Sequence, residues 1–66
     1  MKAEHLLEEL VSTYQGRLAQ GMCAHAALAL VVNFSYVRGK EEGLTFEECM
    51  DLARQMQAQI KAIQEG

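Results

Sequence analysis

The chain has 66 residues, half of them apolar, with six basic against nine acidic side chains and a formal net charge of −3. That length makes one small domain, and the apolar share with so little net charge excludes a disordered chain. The acidic balance speaks against a protein built to grip a nucleic-acid backbone, which needs a basic surplus. Chains this short usually lean on a disulfide, a metal or another chain. Two cysteines, Cys23 and Cys49, offer at most one bridge. The amino terminus leads into an acidic amphipathic run instead of an apolar secretory segment, so a reducing, cytoplasmic setting is expected.

The first helix is expected over residues 2–19. Leu6, Leu7, Leu10, Val11, Tyr14 and Leu18 recur at three- and four-residue intervals and form one stripe, with Glu4, His5, Glu8, Glu9 and Ser12 opposite. Gly16 and Gly21 are both candidate stops. Gly21 is preferred because Leu18 continues the stripe beyond Gly16. His5 falls on the polar face and is expected to be exposed.

A second helix is expected over residues 22–38, and its apolar residues point in every direction. Met22, Leu28, Leu30, Val31, Val32, Phe34, Tyr36 and Val37 cover the whole helical wheel, with Ala24, Ala26, Ala27 and Ala29 filling the gaps. Such a helix either spans a membrane or lies at the centre of a larger core. The run is too short for a bilayer, which needs roughly 20 apolar residues, and it contains His25, Asn33 and Ser35. Two flanking helices cover only part of its circumference. A second copy is therefore expected, with Met22, Leu28, Leu30, Val31, Val32, Phe34 and Val37 as the dimer core. The segment from Gly39 to Gly43 reads as a polar turn bounded by two glycines.

The third helix is expected over residues 45–64. Thr45 followed by Glu48 is a capping-box pair, with Leu44 and Cys49 placed to form a hydrophobic staple. Acidic residues in its first turn suit the positive end of the helix dipole. Phe46, Cys49, Leu52, Ala53, Met56, Ile60 and Ile63 make its apolar stripe, and Glu47, Asp51, Arg54, Gln55 and Lys61 face away. The fold expected is an all-α, three-helix small domain, a helical hairpin plus a third helix, forming an intertwined or face-to-face homodimer.

No constellation for catalysis emerges. The serines have no histidine and acid at triad spacing, and the glycines match no phosphate loop or dinucleotide fingerprint. Glu8–Glu9, Glu41–Glu42 and Glu47–Glu48 are adjacent pairs and cannot aim together into a di-iron bundle. Cys23, His25, Cys49 and His5 are zinc-ligand types, but Cys23 and His25 point to nearly opposite sides of a helix. An antiparallel helix pair would also hold the two cysteines roughly 20 Å apart, so both read as small buried hydrophobes. No enzyme, metal or cofactor is expected.

The expected function is that of a small interaction module that oligomerises and binds and modulates a partner protein. Glu47, Met50, Asp51 and Arg54 are the candidate partner surface, since methionine-containing helical surfaces suit helical partners. Two other readings stay open at this point. His25, Asn33 and Tyr36 could line a small-ligand or nucleotide pocket, or form a polar network at a subunit interface. A DNA-binding regulator is the third reading, opposed by the acidic start of the third helix, which would face phosphates with the wrong sign. Arg38 and Lys40 are the one basic cluster, and Glu41 and Glu42 offset it.

Overall fold

The computed structural model describes residues 4–65. It contains three α-helices in sequence, α1 (Glu4–Ala19), α2 (Ala24–Glu41) and α3 (Phe46–Glu65). Each helix packs on both others, and the bundle measures 32 × 20 × 16 Å. The first two positions expected in helix 1, residues 2 and 3, lie outside the described residues. No helix among the described residues is long and apolar enough to cross a membrane.

Both interhelical turns are built the same way. Gly21 closes α1 at φ 94°, where its amide donates to the Leu18 carbonyl (3.0 Å) and the Met22 amide to the Arg17 carbonyl (3.0 Å). Gly43 closes α2 at φ 83°, with the Gly43 amide on Lys40 O (3.1 Å) and the Leu44 amide on Gly39 O (2.9 Å). This paired bonding satisfies carbonyls that a helix end leaves free, and it needs the left-handed conformation that glycine adopts without a Cβ penalty. Met22 is thereby part of the α1 cap, which is why α2 starts later than the apolar run suggests. Gly16 stays inside α1.

The end of α2 departs from the sequence expectation. Gly39 is helical and fully enclosed, and the helix runs on to Glu41. A Cβ built at position 39 would stand 2.5 Å from Cys49 Sγ and 3.4 Å from Leu44 Cδ1. Gly39 is therefore a point of close approach between α3 and α2, and only the second half of the expected turn is a turn.

The third helix starts at its capping box. The Thr45 amide donates to Glu48 Oε1 (2.9 Å), and the Glu48 amide donates to Thr45 Oγ1 (3.1 Å). Such a cap contributes roughly 1 kcal/mol. Leu44 and Cys49 meet over Gly39, which supplies the apolar contact that fixes how the chain enters α3.

The core combines Leu6, Leu10 and Tyr14 of α1, Ala27 and Val31 of α2, and Leu52, Met56 and Ile60 of α3. The Tyr14 hydroxyl is buried and accepts from Gln64 Nε2 near the end of α3. Two members of the stripe expected for helix 3 lie outside this core. Phe46 is 68% exposed and Ile63 45%. Each occupies a terminal turn of α3, at the margin of the core. Leu18, in the last turn of α1, is likewise exposed.

In α2 the completely buried residues are the small ones, Ala27, Val31, Ser35 and Gly39, spaced four apart. Ser35 satisfies its hydroxyl within the helix, donating to the Val32 carbonyl at 2.6 Å. A ladder of small side chains leaves room for the neighbouring helices to pack closely on this face. The larger apolar residues of α2 are displaced to its flanks.

Candidate interaction surface

The surface of α2 away from α1 and α3 has an unusual composition. No Asp, Glu, Lys or Arg occurs between Arg17 and Arg38, so whatever α2 exposes there carries no such charge. Its exposed residues are Ala24, His25, Ala26, Ala29, Asn33 and Val37, with Leu30, Val32 and Tyr36 half-buried beside them. Val37 retains 46% of its surface.

The residues expected to form a dimer core separate into three groups. Val31 is enclosed by its own chain and is not available to a second copy. Met22, Leu28, Val32 and Phe34 are half-buried and pack with one side against the core. Leu30 and Val37 stand on the outward flank. His25 and Asn33 are exposed and Tyr36 is half-buried. His25 and Tyr36 lie about three turns apart, roughly 16 Å along the axis, so the three residues share a ridge and do not converge on one point.

Tyr36 belongs to a different grouping. Its ring packs against that of Phe46 with centroids 5.6 Å apart and planes tilted by 32°, within the range favoured by aromatic pairs. A shallow hollow of about 380 Å³ between the end of α2 and the start of α3 is lined by Tyr36, Lys40, Leu44, Phe46 and Cys49. On the other side of Phe46, a second hollow of about 370 Å³ is lined by Glu47, Met50, Asp51 and Arg54. Those four are the residues expected to present a partner surface, and the structure brings them together around one wall. Asp51 is ion-paired with Arg54 at 2.8 Å. Phe46 belongs by its period to the apolar stripe, yet it stands 68% exposed. The available signal was its position as the first helical residue after the cap, where a stripe residue has no preceding turn to cover it.

The basic cluster is largely engaged within the chain. Arg38 spans from α2 to α1, its Nε on Glu9 Oε2 (2.8 Å) and Nη2 on Glu9 Oε1 (3.2 Å), while Nη1 reaches Glu41 (2.6 Å). The two-pronged contact holds the Glu9 carboxyl below the ordinary carboxylate range, chiefly through the hydrogen bond from Arg38. His5 is exposed as expected, and it also lies 2.8 Å from Glu42 Oε1, tying the start of α1 to the end of α2.

The cysteines also differ from expectation. Cys49 is buried beside Gly39, but Cys23 is exposed at the N-cap of α2, and both are free thiols. The amides of Ala26 and His25 at the open end of the helix lower the Cys23 pKa by favouring its thiolate. Cys49 lies near Tyr36, far along α2 from Cys23. Among the described residues, no three His, Cys, Asp or Glu side chains stand close enough together to hold a metal ion.

No known protein family matches the chain, and comparison with curated proteins and with solved structures finds no significant similarity. The functional reading therefore rests on the surface alone.

Proposed function

We propose that the protein is a small, non-catalytic interaction module that associates with a second copy through its α2 side and offers the acidic, methionine-containing surface of α3 to a partner protein. The observation that carries this reading is the uncharged outward flank of α2, with Val37 exposed, Leu30 half-buried beside it and no Asp, Glu, Lys or Arg between Arg17 and Arg38. Apolar area left in water is the ordinary driving force for association, at roughly 25 cal/mol per Å² removed, and contiguous apolar patches on small soluble proteins mark contact sites. Phe46, packed on Tyr36, adds a second exposed apolar group where α2 meets α3. An aromatic ring exposed at the rim of two hollows resembles the anchors that dominate protein interfaces.

Sedimentation equilibrium across a wide concentration range tests the association. The wild-type chain should sediment as a dimer at high concentration, and Val37→Glu should shift it towards monomer while its helical circular dichroism is retained. A wild-type chain that stays monomeric throughout would remove the proposal's foundation.

A further inference from the structure

We infer that the second copy packs on the outward flank of α2 as an antiparallel helix pair, with the two-fold axis passing through Asn33. This deepens the association proposed above and rests on it.

Asn33 stands at the centre of that flank in both directions. It lies at the midpoint of the 18-residue helix Ala24–Glu41. At about 100° per residue it also points directly away from the buried ladder of Ala27, Val31, Ser35 and Gly39. Ala26 and Lys40 continue its line one heptad to either side, and all three are exposed. Ala29 and Tyr36 border the line on one side, Leu30 and Val37 on the other. The Asn33 amide has no hydrogen-bond partner among the described residues. A carboxamide both donates and accepts, so two of them facing each other across a two-fold satisfy one another. A single Asn in an otherwise apolar helix seam also fixes the register of the pair.

Size selects the direction. Along its central line and the Tyr36 side, the flank tapers: Ala26 and Ala29 come before Asn33, Tyr36 and Lys40 after it. An antiparallel pair turning about Asn33 sets Tyr36 over Ala29 of the second copy and the Lys40 stem over its Ala26. Leu30, the one large residue of the first half, meets Val37 of the second copy. Bulk therefore faces a small residue, or apolar faces apolar, at each position. A parallel pair would stack large on large at one end and small on small at the other, and the helices would splay. It would also bring two Lys40 ammonium groups face to face. In the antiparallel pair each meets only the open end of the other α2, equivalent to about half a positive charge, and its long stem lets it swing past to water. The contact is one helix on one helix, roughly 27 Å long at 1.5 Å per residue. Such a contact belongs to the class burying less than about 1,200 Å² in total, which associates weakly and reversibly. It leaves Glu47, Met50, Asp51 and Arg54 of both copies open to a partner protein.

Cysteine cross-linking tests the arrangement, in a Cys23→Ser chain so that the buried Cys49 is the only other thiol. Usual interaxial distances of about 8–10 Å bring the two α-carbons at position 33 within the roughly 7 Å that a disulfide spans. Asn33→Cys should therefore link to itself under oxidised glutathione at least about tenfold faster than Lys40→Cys, whose two sites stand roughly 21 Å apart along the axis. Lys40→Cys mixed with Ala26→Cys should link between the two variants. Asn33→Asp places two carboxylates on the axis and should raise the dissociation constant about tenfold or more, with helical circular dichroism retained because the position is exposed. A wild-type dimer in which Lys40→Cys links to itself as fast as Asn33→Cys, or whose affinity Asn33→Asp leaves unaltered, overturns this arrangement and leaves the association standing. A wild-type monomer overturns both.

Discussion

The helices α2 and α3 are of similar length, and they select their buried residues by opposite rules. In α3 the buried residues are the apolar ones, Leu52, Ala53, Met56 and Ile60, and the charged residues face out. In α2 apolarity makes no distinction, because nearly every side is apolar. There the inward face is chosen by size, through the Ala27–Val31–Ser35–Gly39 ladder, and leucine, phenylalanine and tyrosine go to the flanks. The comparison teaches that a helix with one polar side needs only water to orient it. A helix without one is oriented by how closely its neighbours can approach.

The largest effect should come from the apolar face of α3. Leu52→Ala empties a fully enclosed site and should lower unfolding stability by about 2–5 kcal/mol. Leu30→Ala, on the outward flank of α2, should cost well under half as much at concentrations where the chain is monomeric. Urea denaturation of both variants checks this, and equal losses would erase the distinction between the two helices.

Next comes the close approach at Gly39. Gly39→Ala forces a methyl group to 2.5 Å from Cys49 Sγ and should cost about 1–3 kcal/mol by overpacking. Removing the sulfur as well, in Gly39→Ala with Cys49→Ala, should recover part of that loss, since the Cys49 Cβ lies at an ordinary 3.5 Å. A double variant whose losses simply add would show that the two sites are uncoupled.

Thr45→Ala opens the capping box and should cost about 1 kcal/mol, read as a fall in the thermal midpoint. The smallest effect belongs to the link between α1 and α2. Glu9 has its folded pKa below the ordinary 4.5 because Arg38 donates to it. Its contribution to stability is therefore fully present above the unfolded value and is lost as pH falls through the folded one. Arg38→Gln should flatten that part of the acid titration of stability and leave the neutral-to-alkaline part unaltered. An unchanged acid limb would mean that the exposed pair contributes nothing.

Local signals in the sequence translate directly into structure. Thr45 and Glu48 are three residues apart and form their reciprocal bonds without help from the rest of the chain. Gly21 likewise closes α1 through bonds that span only five residues. What could not be read depends on distant partners. Gly39 looks like a turn residue until Cys49, ten positions on, is placed against it. Phe46 fits the stripe by period, but in the structure it meets only the Tyr36 ring on one side and stays exposed on the other. Cys23 sits at a helix entrance, where the thiol faces water instead of a core. The outward half of α2 gave no indication of which residues would turn inward, because the pattern has no contrast. The four residues around the second hollow were legible as a surface through their period, but their aromatic wall was not.

The contrast between the two thiols gives the molecule an internal gauge of its own breathing. Cys23 is open to an alkylating reagent in the folded state, whereas Cys49 is sealed where α2 and α3 touch. The rate at which the second sulfur is modified, measured against the first, reports how often that seam parts, with no substitution in the chain.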